Sequence, residues 1–223
     1  MNKKELASMI DHTLLGPTAS VKGVRRLCEE VREHGFASAC VNPFYTLLAS
    51  DVLAGSMSKT CVVIGFPHGM SASTVKGYEA EKAIADGAQE LDMVINVAAL
   101  KAREYKIVSE DIRTVCVAAA KAPNKVLVKV ILETSLLSDD EKRAGAILAR
   151  SAGADFVKTS TGFASGGATV QDVLLLRETI GPDMGLKAAG GIHTYEQAMA
   201  MISAGATRIG ASHSLEILAS APD

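Results

Sequence analysis

The chain lacks most of the signatures that would assign it at a glance. Its four cysteines, Cys28, Cys40, Cys61 and Cys116, form no CxxC pair and match no zinc spacing. They read as reduced thiols of a cytoplasmic protein rather than as a disulfide framework. The five histidines include no HExxH, and no metal site is expected. No GxGxxG follows the first strand-like run, which weakens any dinucleotide-binding reading. No long apolar stretch opens the chain, so neither a signal peptide nor a membrane span is expected. There is no charge excess either. A net charge of −2 gives no electrostatic reason to expect nucleic acid or an anionic membrane as partner. No low-complexity linker divides the 223 residues, 48% of which are hydrophobic, so one domain over residues 1–223 is expected.

What is present is an alternation. Val21, Val24, Leu27, Cys28 and Val31 fall at helical spacing, with Gly35 as a stop. Ser138 with Glu141, and Thr194 with Gln197, read as capping boxes. The first opens a helix through Ala144, Ile147 and Leu148, the second one through Ala198, Met201 and Ile202. Gly181-Pro182 closes a helix holding Val170, Val173 and Leu174. Between helices lie short apolar runs at 61–64, 91–95, 126–132, 156–158 and 186–189, with weaker ones at 9–14, 37–41 and 207–210. Several are apolar on both faces, as covered parallel strands should be. Eight such units in so short a chain predict an α/β fold, a single-domain (β/α)8 TIM barrel. A doubly wound open sheet is the alternative.

A repeat favours the barrel. Gly35, Gly87, Gly153 and Gly205 each end a helical stretch and lead straight into a strand-like run. Aligned on those glycines, Cys40, Asp92, Lys158 and Gly210 fall at one offset, on strands 2, 4, 6 and 8. A barrel layer takes its four side chains from alternate strands. These four are therefore expected in one layer near the C-terminal mouth. Barrel geometry alone, with Asp92 and Lys158 as a structural ion pair, would give the same register. Yet an ordinary layer would be Val, Ile or Leu.

Lys158 ends an apolar strand, where an unpaired ammonium is costly unless it gives up its proton. Strand 7 adds Lys187 and strand 5 adds Lys129. Strands 6 and 7 are neighbours, so Lys158 and Lys187 should lie close, and two adjacent ammonium groups disfavour each other. This is a route to a nucleophilic lysine that forms Schiff bases. Asp92 can offset charge and move protons. Gly190 and Gly191 after strand 7, with Gly210 and Ser212 at strand 8, suit a phosphate, as loops at these places in barrels often do. Residues 165–169 offer further donors. His68 and His193 are placed in loops on the same face. His12, beside Asp11, reads as a buried hydrogen-bonding residue and His34 as a solvated helix end. Cys40 reads as a small apolar wall, since no histidine is placed to activate it.

The full set of motifs resembles the deoxyribose-phosphate aldolase family. The pieces are IDHTLL at 10–15, ACVNP at 39–43, VIGFPHG at 63–69, ELDMVIN at 90–96, LVKVILET at 127–134, FVKTSTGF at 156–163, KAAGGI at 187–192 and RIGAS at 208–212. The resemblance spans nearly the whole chain and is specific only jointly. It implies a class I aldolase that reversibly cleaves 2-deoxy-D-ribose 5-phosphate to D-glyceraldehyde 3-phosphate and acetaldehyde, with no metal or organic cofactor. It implies Lys158 as the Schiff-base lysine, Lys187 as the lysine that lowers the pKa of its partner, and Asp92 as the proton relay. Gly162, Gly190, Gly191, Gly210 and Ser212 would bind substrate and phosphate, supported by Lys129, Cys40 and Asp11. A homo-oligomer, with a dimer as the guess, is the expected assembly.

Three places depart from the family pattern. Met70-Ser71-Ala72-Ser73 replaces a more Thr-rich stretch, His213 stands where a second serine is common, and the tail Ser220-Ala221-Pro222-Asp223 lacks the tyrosine of some members. Phosphate contacts and rate are the properties these changes would touch. The rivals are another phosphate-binding Schiff-base lyase with a longer donor, a catalytically dead barrel, and a metal-dependent isomerase or aldolase.

Overall fold

A strand that is apolar on both faces needs cover on both. The computed structural model, which describes residues 1–222, meets that need by closing the strands into a ring. The first half of the chain carries α1 (Lys3–Ala7), β1 (Ile10–Leu14), α2 (Val21–His34), β2 (Ser38–Val41), α3 (Thr46–Leu53), β3 (Lys59–Ile64), α4 (Ser73–Ala85) and β4 (Glu90–Val94). The second half carries α5 (Val97–Lys101), α6 (Tyr105–Ala120), β5 (Leu127–Ile131), α7 (Asp139–Ala152), β6 (Phe156–Lys158), α8 (Val170–Ile180), β7 (Gly185–Ala189), α9 (Tyr195–Ser203), β8 (Arg208–Ala211) and α10 (Ser214–Ala219). Every neighbouring pair of strands is parallel, and β1 pairs with β8 as well as with β2. That last pairing excludes the open sheet and makes the fold a (β/α)8 TIM barrel. The strands fall where the apolar runs predict, with ends moved by a residue or two.

The repeat glycines do what the register requires. Gly35, Gly87, Gly153 and Gly205 all have positive φ, between 69° and 111°, where a Cβ would be strained. Each turns the chain from a helix end into the next strand, so Cys40, Asp92, Lys158 and Gly210 arrive at equivalent places. Both expected capping boxes form, Ser138 with Glu141 and Thr194 with Gln197. Each cap stabilises its helix by about 1 kcal/mol.

Two apolar faces were misassigned by the sequence. Ile147 on α7 and Leu174 on α8 are more than half exposed. The buried face of α7 consists of Gly145, Ala146, Ala149 and Ala152. A Cβ at Gly145 would meet Leu132 and Leu100 at 3.1 and 3.2 Å, so this helix lies too close to the barrel for large side chains. Small residues set the stripe, and a search for large apolar ones misses it. On α8 the buried stripe is Val173, Leu176 and Ile180, and Leu174 lies one residue off it. On α2 the expected stripe of Val24, Leu27, Cys28 and Val31 is buried, while Val21 in the first turn is exposed.

Candidate active site

Side chains of a barrel strand alternate between the interior and the helical shell. Here the interior turns are taken by charge. Asp11 on β1, Glu90 and Asp92 on β4, Lys129 on β5, Lys158 on β6, Lys187 on β7 and Arg208 on β8 form one connected network. Lys158 Nζ and Lys187 Nζ each lie 2.7 Å from the same atom, Asp92 Oδ2. Lys187 is shared with Asp11 Oδ2 at 2.5 Å. The other Asp92 oxygen, Oδ1, takes Lys129 at 2.8 Å and the Cys61 thiol at 3.2 Å. Lys129 is further held by Glu90 at 2.6 Å. Arg208 closes the network on Asp11 at 2.6 Å and Glu90 at 3.3 Å, and Ser38 donates to Asp11 Oδ1. The Cα register makes Asp92 the neighbour of Lys129 and Lys158 the neighbour of Lys187.

Burial alone would push the Asp92 and Asp11 carboxyls up, but the surrounding cations win. Lys129, Lys158 and Lys187 hold Asp92 well below the usual carboxylate range, and Lys129, Lys187 and Arg208 do the same for Asp11. Burial likewise disfavours the charged forms of Lys129 and Lys187. Asp11 and Asp92 outweigh it, so both ammonium groups are held above the ordinary lysine value. The network contains four cations and three carboxylates. With all seven ionised, one positive charge is in surplus.

The three lysines differ in what lies beyond them. Lys129 and Lys187 are wholly enclosed, whereas Lys158 is 3% exposed and lies on the wall of a cavity of about 400 Å³. Gly162, Gly190, Gly191, Gly210 and Ser212 line that same cavity, with Thr13, Thr161 and His193. Gly190 and Gly191 have φ of 92° and 74°, a backbone that brings their peptide groups to the cavity without a side chain. At Gly210 the absent side chain makes room for Lys187. A Cβ there would stand 2.9 Å from Lys187 Cε and from Ala189 Cβ.

Other expected residues lie elsewhere. Residues 165–169 do not line the cavity. Ala168 N–H donates to Gly190 O, a Cβ on Gly167 would reach that oxygen at 2.3 Å, and Thr169 caps α8, so this loop buttresses Gly190. His68 belongs to a neighbouring smaller hollow with Pro67, Glu133 and Phe163. His12 points into the helical shell, bonded to Ser214 and Glu30. Cys40 is fully buried with Leu15, Cys61, Val63 and Phe66, off the lining of the cavity. Of the departures, Met70–Ser73 lie off the cavity, while His213 touches Ser212 and His193 beside it. Asp223, the last residue of the tail, lies outside the described residues.

Sequence reasoning missed Glu90, Arg208 and Cys61. The signal was there for the first two: Glu90 is two residues before Asp92 and Arg208 two before Gly210, so each shares its strand face. Glu133 was also missed. It is buried and accepts the Thr161 hydroxyl and backbone N–H, fixing the loop that follows Lys158. Cys40, Cys61 and Asp92 lie close enough together to suggest metal ligands, as do Asp11, Cys61 and Glu90. Lys129 Nζ already occupies the position of a cation among them, 3.3 Å from Cys61 Sγ and 2.6 Å from Glu90. That donor set does not suit an added metal.

Fold and site together define a barrel enzyme whose interior presents one lysine, out of a buried charge network, to a glycine-walled cavity. Residues 6–220 match the DeoC/LacD family aldolases. The chain is 54% identical over 217 residues to a deoxyribose-phosphate aldolase of Clostridium perfringens, covering 97% of this chain and 96% of that one. It is 52% identical to one of Thermococcus kodakarensis over the full length of both. Among solved structures it resembles the deoxyribose phosphate aldolase of Aeropyrum pernix, described as tetrameric, with a TM-score of 0.90, 37% identity and coverage of 98% and 92% of the two chains. The chain belongs to the DeoC/LacD aldolase family and is a lyase.

Proposed function

We propose that this enzyme reversibly cleaves 2-deoxy-D-ribose 5-phosphate to D-glyceraldehyde 3-phosphate and acetaldehyde through a Schiff base on Lys158, and so serves the breakdown of deoxyribose phosphate. The observation that carries the reading is the position of Lys158: it alone of the three network lysines borders the cavity. Charge balance supports it. The network holds one positive charge too many, and loss of one proton balances it. Lys187 and Lys129 are each tied to at least two carboxylates, Lys158 only to Asp92. Lys158 is therefore the least firmly held of the three, and it borders the cavity, where a free amine is useful.

In the proposed sequence the Lys158 amine attacks the C1 aldehyde of the open-chain sugar phosphate. The carbinolamine loses water to form an iminium. A base removes the proton of the C3 hydroxyl, the C2–C3 bond breaks, and its electron pair moves into the iminium to give an enamine. Glyceraldehyde 3-phosphate leaves. The enamine takes a proton at C2, and hydrolysis frees acetaldehyde and the amine. Asp92 is a weak base in the resting site, because its cations hold it ionised. Once Lys158 moves onto the substrate, one contact on Asp92 Oδ2 is vacated and a water can take it. Proton transfer from C3 then runs through that water, with Lys187 on the same oxygen as the charged partner. Gly162, Gly190, Gly191, Gly210 and Ser212 hold the phosphate, whose binding energy positions C1 over the amine.

The test is a cleavage assay on 2-deoxyribose 5-phosphate together with longer keto-acid and ketose-phosphate donors. Release of acetaldehyde from the deoxy sugar, retained in the presence of a chelator, is expected. Turnover of only the longer donors, or of none, would refute the proposal.

A further inference from the structure

Among the described residues, Lys158, deep on the cavity wall, is the sole lysine lining the cavity, and no arginine lines it. The glycine wall proposed to hold the phosphate thus offers neutral peptide groups to a dianion. The other titratable cation on the lining is His193, in the loop between β7 and α9. Its Nδ1 lies 3.1 Å from Nδ1 of His213, with the rings nearly perpendicular at 78°. His213 Nδ1 is also 3.2 Å from Ser212 Oγ, itself on the lining. The His193 backbone N–H is fixed by Gln197 of α9. Two imidazole nitrogens at this distance form one hydrogen bond, one ring donating and the other accepting.

We propose that His193 and His213 form the side-chain half of the phosphate subsite. They bond to each other when the site is empty and turn their ring N–H groups onto the phosphate when a sugar phosphate binds. This rests on the proposed cleavage of a phosphorylated sugar and deepens it. A phosphate dianion accepts from both rings, and Ser212 follows as a hydroxyl donor. Hydrogen bonds to an ionised acceptor are stronger than those between neutral groups. Other titratable groups on the flanking elements are Lys158, Tyr195 and Glu196 on α9, Glu216 on α10, and His12, which is already committed to Ser214 and Glu30. Asp11, Lys187 and Arg208 are consumed by the barrel network.

The experiment measures kcat and KM for 2-deoxyribose 5-phosphate and for unphosphorylated 2-deoxyribose, in the wild type and in His193→Asn and His213→Ser. Each variant is expected to lower the ratio of kcat/KM values, phosphorylated over unphosphorylated, by about tenfold, mainly through KM. An equal loss on both sugars would assign the pair a purely structural part and overturn the inference. So would an unchanged ratio. Failure of the wild type to cleave either sugar would refute the proposed function instead, so the two failures are distinguishable.

Discussion

The two ends of the barrel interior hold the same kinds of residue and do different work. Toward the floor, Lys129 sits among Asp11, Glu90 and Asp92 with Arg208 beside them, and every charge is answered. Toward the mouth, Lys158 and Lys187 share one oxygen of Asp92, and only Lys158 faces open space. A lysine in a TIM barrel is therefore not reactive because it is buried. Lys129 is the more buried of the two and is locked as an ammonium. In the proposed function, reactivity belongs where positive charge is in surplus and the amine has somewhere to go.

That contrast can be broken from either side. The largest effect is expected for Lys187→Leu. It removes the fixed charge beside Lys158 and leaves three cations against three carboxylates, so a proton is no longer in surplus. Turnover near neutral pH should fall by about a hundredfold or more, with the acid limb of the pH–rate profile moved to higher pH. A profile that stays in place would separate Lys187 from the reactive amine. Lys129→Met removes a cation from the same network, so turnover should fall as well, but its larger effect should be on stability. It strips a partner from three buried carboxylates, and the loss read by chemical denaturation should be about 3–5 kcal/mol. A variant that keeps its stability but loses all turnover would erase the distinction between floor and mouth.

Gly210→Val is a gentler probe of the mouth. Its Cβ would stand 2.9 Å from Lys187 Cε, so Lys187 must shift off Asp92 Oδ2. We expect roughly a tenfold drop in kcat with a stability cost of about 1–3 kcal/mol. Full activity would mean that the position of Lys187 is not critical. The smallest effect concerns the shell rather than the interior. Burial lowers the pKa of His12 below the ordinary histidine value of 6.5, despite Glu30 beside it. Between that value and the lower folded one, the unfolded chain binds more protons, so stability is full above about pH 6.5 and declines as pH falls. Thermal melts from pH 8 to pH 5 should show the decline, and His12→Gln should flatten it. A melting temperature that is level over that range would contradict the assignment.

Much of this arrangement was legible in the sequence. The glycine offset placed Asp92 and Lys158 at equivalent strand positions, and strand order put Lys187 beside Lys158, because backbone periodicity is written directly in the chain. The cavity glycines were legible for the same reason: they stand at strand ends. What the sequence hid was who pairs with whom. Asp11 and Arg208 are 197 residues apart and meet only because β1 closes on β8. The faces of α7 were hidden because alanine and glycine carry the contact while Ile147 faces outward. The donor role given to residues 165–169 failed because a polar composition does not say which way a loop turns. Here it turns its backbone onto Gly190.

The most direct test of Lys158 as the Schiff-base lysine is borohydride trapping with acetaldehyde, followed by peptide mapping over all three network lysines. A single reduced adduct is expected, on the peptide carrying Lys158, with Lys187 and Lys129 unmodified. An adduct on Lys187 or Lys129, or a trapped Lys158→Met variant, would contradict it.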